Sequence, residues 1–246
     1  LGSIIDEGRQ AGLIDWDAIE DRTRNLEKLP YWSGPQDILY AVWNQYREDL
    51  WKAQDYFPEV WIEKDALTGV IANVCERWRV PYFACRGYTS QSEMYSAAKR
   101  FEDASNSGRT PIVLHLGDHD PSGIDMSRDN QDRLELFSNY AGVELRRLAL
   151  NMDQIDQYNP PPNPAKKTDI RFEKYAELHG ESSWELDALN PAVIENLIGD
   201  EIQTLIDDVL WSESSDHEQE NKRLLGETYR RWDGVKNWLT STGEAL

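Results

Sequence analysis

Between residues 59 and 150, short apolar runs alternate with amphipathic stretches of helical period. That alternation belongs to βαβ units, in which buried parallel strands are joined by helices lying on the sheet. Strands are expected at 60–63, 82–85, 112–116 and 144–148, with helices at 66–77, 90–102 and 124–140 between them. The fold class is therefore α/β: a Rossmann-like, four-stranded, mainly parallel sheet flanked by helices, with helical additions at both ends.

The flanks carry different patterns. Residues 1–57 read as a helical N-terminal region, in which Gly12 breaks one helix and Asp15 caps the next over 16–24. A third helix at 36–52 places Ile38, Leu39, Val42, Trp43, Tyr46 and Leu50 at helical spacing, a stripe that reads as packing rather than base stacking. The sheet region fills 58–150. Residues 151–170 form a Pro-rich arm in which Pro160, Pro161, Pro162 and Pro164 leave too few donors for a helix or a central strand. Residues 171–246 read as helices, with Pro191 at a helix start and a polar, acidic break over 212–220. The chain opens on Leu1 within a helix-like segment that includes Ile4 and Ile5, so sequence upstream is expected.

Charge narrows the functions available. With 45 acids against 26 bases the chain carries −19, which excludes a general nucleic-acid coat that works by neutralising phosphates over its whole surface. Contact with a polyanion has to be local, and a divalent cation held by carboxylates is one way to make it so. No apolar run reaches the roughly 18–20 residues of a membrane span, and no secretion signal opens the chain, so a soluble, cytoplasmic protein is expected. Cys75 and Cys85 form no C-x-x-C pair and are expected to be buried thiols.

Two acidic strings fall where strands hand over to helices: Trp61-Ile62-Glu63-Lys64-Asp65 and Leu116-Gly117-Asp118-His119-Asp120-Pro121-Ser122-Gly123. In open parallel sheets, ligands bind outside the carboxyl ends of the strands, where the next helices present amide-rich N-termini. Alternation puts Asp118 and Asp120 on one side, and Glu63 faces them if the first and third strands are neighbours. Carboxylates lacking a matching basic cluster repel one another, and a hard cation keeps them ionised. Mg²⁺ is expected, with Mn²⁺ as its substitute. By itself the second string reads equally well as a turn and a helix cap, with Pro121 in the first helical turn; the separately placed Glu63 makes it a site.

These residues resemble a known family. Ile62-Glu63-Lys64-Asp65-Ala66, Arg86-Gly87-Tyr88 and Gly117-Asp118-His119-Asp120-Pro121-Ser122-Gly123-Ile124-Asp125 are similar, in order and spacing, to the TOPRIM domain. The version they most resemble is that of the type IIB topoisomerase A subunit and the related meiotic double-strand-break protein, over about residues 58–150. The resemblance implies a Mg²⁺ site at Glu63, Asp118 and Asp120, with Glu63 as general acid or base in nucleic-acid strand cleavage. Those relatives cleave with a tyrosine on an upstream winged-helix domain, of which residues 1–57 hold at most a remnant. Tyr31, Tyr40 and Tyr46 sit at packing positions, so hydrolysis by metal-activated water is the expected chemistry.

Lys64 and Arg86 beside the strand ends, and Lys166, Lys167 and Arg171 after the Pro-rich arm, are candidate nucleic-acid contacts, with surface salt bridges as the competing role. Asp125 favours its helix N-terminus or joins the site through water. His115 is expected to point into the sheet and His119 away from the aspartates; Trp184-Glu185-Leu186-Asp187, at an expected helix start, has no assigned chemistry. Three functions compete. The first is a Mg²⁺-dependent DNA nuclease or topoisomerase-like enzyme. The second is a non-catalytic module, a homodimer or the partner of a subunit carrying a basic or helix-turn-helix domain. The third is a phosphotransferase similar to haloacid dehalogenases, which needs its aspartate after the first strand, where this chain has Glu63.

Overall fold

A computed structural model describes residues 2–15, 29–139 and 141–242. The helix expected at 16–24 lies outside the described residues. The chain divides into two units, residues 46–223 and a helical unit formed by 1–45 with 224–246.

The larger unit is built on a parallel sheet of β1 (Tyr56–Ile62), β2 (Tyr82–Ala84), β3 (Thr110–Leu116) and β4 (Glu144–Ala149), in the order β2-β1-β3-β4. All three pairings are parallel, so each connection must cross over a face, and helices make those crossings. The expected α/β architecture is present, with strands that begin up to four residues earlier than their apolar runs. The extra N-terminal turn of β1 includes Glu59, which is fully buried because Arg100 and the indole of Trp61 satisfy it.

Both faces of the sheet are covered. Val60, Ile62, Ile112, Leu114 and Leu116 share one core with helix α3 (Thr68–Trp78) and with Ile194, Ile198 and Ile202 of a later helix, Pro191–Thr204. On the opposite face Trp61 and Val113 pack with Met94 and Phe101 of α4 (Gln91–Asn106) and Leu134 of α5 (Pro121–Phe137). Cys75 and Cys85 are buried free thiols, and burial pushes them up to about 12 and about 11.

Several local readings are corrected. The helix expected over 36–52 stops at Gln45; Asp49 then caps a separate 3-10 turn at Leu50–Ala53 by accepting the Trp51 amide at 3.0 Å. The Pro-rich stretch is no free arm: after α6 (Met152–Tyr158), β5 (Asn163–Pro164) pairs antiparallel with β6 (Ser182–Ser183), and Ala165 is buried. Helix α7 (Phe172–His179) lies between those strands in the chain, and α8 is the Pro191–Thr204 helix already met. The break expected over 212–220 is helical, part of α9 (Asp208–Arg230), because buried Glu218 pairs with Arg79 and Trp211 joins the core.

In the second unit, α1 is Gly2–Gln10 and α2 is Pro35–Gln45, with the end of α9 and α10 (Trp232–Thr242). Tyr40, Trp43 and Tyr229 form its aromatic cluster, with ring centroids 5.3–6.0 Å apart. Among the described residues no helix is long and apolar enough to cross a membrane.

Candidate functional site

β1 and β3 run side by side with Ile62 opposite Leu116, so both acidic strings leave the sheet at the same rim. The Glu63 amide donates to the Leu116 carbonyl at 2.8 Å, carrying the ladder one step beyond the strand. The Glu63 side chain then turns across the rim, where Oε2 accepts the Asp118 amide at 2.9 Å. Gly117 makes this approach possible: a Cβ there would lie 2.9 Å from Glu63 Oε2 and 3.3 Å from the His115 ring.

Each aspartate has a further structural duty. Asp118 Oδ1 accepts the Leu186 amide at 2.7 Å. Asp120 caps α5, its Oδ1 accepting the Gly123 amide at 2.6 Å and the Ser122 hydroxyl at 3.0 Å, with Pro121 at the first helical position. These contacts use one oxygen of each carboxylate and leave Oε1 of Glu63 and Oδ2 of both aspartates out of them.

The acids do have cations near them, contrary to the expectation of an unmatched cluster. Arg147, largely buried, donates to the carbonyls of Gly117 at 3.0 Å, Asp118 at 2.6 Å, Gly123 at 3.0 Å and Leu150 at 3.3 Å. It therefore fixes the loop from beneath. Lys64 reaches three carboxylates: Glu185 at 2.8 Å, Asp187 at 3.1 Å and Asp118 at 3.3 Å.

The electrostatics follow from this crowding. Burial, helped by the charges of Asp118 and Asp120, pushes Glu63 up to about 7, while the Asp118 amide and Arg147 pull the other way. Burial also raises Asp118, against the Leu186 amide and Lys64. Desolvation lowers Arg147 to about 10, although the three acids oppose it. Desolvation works to lower Lys64, but Glu185, Asp118 and Asp187 together hold it above its ordinary value.

The string at 184–187, whose chemistry the sequence did not reveal, belongs to this rim. Trp184 pairs with His119 through two backbone hydrogen bonds of 2.8 and 3.0 Å rather than starting a helix, and a short 3-10 turn follows at Leu186–Ala188. Glu185 and Asp187 reach Lys64, while Leu186 between them is buried in the core.

The remaining candidates are placed as follows. His115 is buried against Ser127 Oγ at 2.9 Å and lowered by desolvation to about 3; His119 faces Tyr175 at 2.8 Å and is lowered by burial to about 4. Arg86 pairs with Asp65, Lys167 with Glu181, and Arg171 with Asp125 and Asp169, while Lys166 is exposed. Asp125 is no neighbour of the three acids in hydrogen bonding; it accepts the Tyr88 hydroxyl at 2.6 Å and is lowered, against its own desolvation, by Tyr88, Arg128 and Arg171.

Among the described residues no group of three His, Cys, Asp or Glu side chains stands close enough to hold one metal ion. The carboxylates at the rim are oxygen donors of the kind a hard cation takes, but they are not gathered into a three-ligand set, and one of them, Asp118, is paired to Lys64. No protein-family model, curated protein or solved structure matches this chain.

Proposed function

We propose that residues 58–150 are a TOPRIM-type domain that cleaves a phosphodiester bond of nucleic acid, DNA in the first instance, with Mg²⁺ or Mn²⁺. The observation that carries this reading is Glu63 turned across the rim onto the Asp118 amide, which gathers acids from the ends of two neighbouring parallel strands. Partly desolvated acids at one rim are costly to keep ionised, and a divalent cation relieves that cost. Glu63, Asp118 and Asp120 are the acids proposed to hold it, which requires them to draw closer together than they stand in this structure. When bound, such an ion lowers the pKa of an attacking water and stabilises the leaving oxygen. Without a metal, burial and the neighbouring acids push Glu63 up to about 7; a bound cation would return it to the ionised form that accepts a proton. Lys64 is anchored within the same rim, where its charge meets a phosphate oxygen.

The test is cleavage of single- and double-stranded oligonucleotides in Mg²⁺ or Mn²⁺. Glu63→Gln keeps an acceptor for the Asp118 amide, and Asp118→Asn keeps one for Leu186, so both variants should fold. Each is expected to lose cleavage by roughly a hundredfold or more, with an unchanged melting temperature, and chelation should silence the wild type. Wild-type rates in either variant would remove this reading.

A second reading is favoured by Lys64. Its ammonium already lies among Asp118, Glu185 and Asp187, so this part of the rim is compensated without a metal. In that case the domain binds a partner subunit or nucleic acid without cutting it. Metal-independent binding together with no cleavage in either ion would select it.

A further inference from the structure

Beyond the acidic rim, residues of α5, of α7 and Arg171 line a half-open pocket of about 140 Å³. Its lining includes Pro121, the residue after Asp120, although none of the three acids lines it. Ile124, Tyr175 and Leu178 give it an apolar and aromatic surface, and His179 extends this, its ring 5.0 Å from that of Tyr175.

The lining of this pocket is richer in cations than the chain as a whole. Arg128, Arg171 and Lys174 line it with Asp125, in a protein of 45 acids and 26 bases; Arg128 pairs with Asp125 and Asp132 and Arg171 with Asp125 and Asp169, so Lys174 supplies the uncompensated charge. Arg171 is held in place: its Nε donates to Asp125 at 2.8 Å, and its guanidinium lies 5.4 Å from the centre of the Tyr88 ring, whose hydroxyl bonds the same carboxylate at 2.6 Å. Lys174 is exposed and makes no salt bridge among the described residues.

An apolar, ring-lined pocket with cations on its edge matches one unstacked nucleotide, the base inside and the phosphate at the rim. We propose that this pocket is a nucleotide subsite for single-stranded nucleic acid. It seats one base against Ile124, Leu178 and His179 and the adjoining phosphate on Lys174, Arg128 and Arg171. The inference rests on the cleavage reading only in what it adds to it: a base held here delivers the neighbouring phosphodiester to the rim at Asp118 and Asp120.

The experiment measures fluorescence anisotropy of labelled oligothymidylate in EDTA, so that binding is separated from cleavage. Lys174→Glu and Leu178→Ala change exposed side chains and should melt as the wild type does. Each is expected to weaken binding about tenfold, and Lys174→Ala to make the slope of log affinity on log salt shallower by about 0.7. Unlabelled duplex should compete poorly. Wild-type affinity and salt slope in the pocket variants, or duplex competing as well as single strand, would overturn the subsite. Cleavage assays keep the two ideas apart. Metal-dependent cleavage with an unchanged KM in the pocket variants defeats the subsite and leaves the nuclease reading standing. Binding that the pocket variants weaken, with no cleavage in Mg²⁺ or Mn²⁺, does the reverse.

Discussion

Gly117 shows how one missing side chain organises the rim. Without a Cβ there, the Glu63 carboxylate and the Arg147 guanidinium approach the same loop, which a methyl group would meet at 2.9 and 3.5 Å. Arg147 then donates to four carbonyls, two of which, Gly117 and Gly123, also accept from the Leu150 amide and the Ser127 hydroxyl. His115, on the same strand face, is buried uncharged, and this has a measurable consequence. Its folded pKa of about 3 lies below the ordinary 6.5, so below pH 6.5 the unfolded chain takes up the proton more readily. The stability it contributes is complete above pH 6.5 and is lost as pH falls towards 3, at about 1.4 kcal/mol per pH unit. Urea unfolding between pH 6 and 4 is therefore expected to show a shallower loss in His115→Gln than in the wild type. Equal slopes would place the acid-sensitive group elsewhere. At this scale Glu63, Asp118 and Asp120 were legible in the sequence, because acids at strand ends are a local signal. Their partners were not: Lys64 meets Glu185 and Asp187 from far along the chain, and only folding decides that meeting.

At the scale of elements, α5 joins structure to the candidate chemistry. Asp120 caps it, Pro121 starts it, and a Cβ at Gly123 would collide with the Asp118 carbonyl oxygen. The two duties of Asp120 separate by substitution. Asp120→Asn retains a good cap and should alter stability by only a few tenths of a kcal/mol, whereas Asp120→Ala should cost about 1 kcal/mol. On the proposed reading both lose metal-dependent cleavage. Denaturant melts paired with cleavage assays check this, and full activity in Asp120→Asn would reduce Asp120 to a cap. The βαβ elements could be read from periodicity because their apolar runs are local and sharply bounded. The run over 212–220 misled for the converse reason: its polar residues favour a break, and the buried Glu218–Arg79 pair that holds it helical joins distant parts of the chain.

At the scale of the larger unit, the sheet depends on a late helix. Ile194, Ile198 and Ile202 of α8 are fully buried in the core that includes Ile71, Val74 and Cys75 of α3. Ile198→Ala should therefore cost about 3 kcal/mol, lowering the urea midpoint of the transition that reports on the sheet. A separate, unaffected sheet transition would make α8 an appendage instead. The sequence alone determined the parallel α/β class, the strand positions and the acids at the strand ends, because each is written in a short window of hydrophobic period and turn chemistry. Tertiary structure decided which helix covers which face, that Arg147 lies beneath the loop, and that the 184–187 segment closes on Lys64 and Asp118. Those pairings link residues remote in the chain, and burial and charge compensation select them only once the sheet exists.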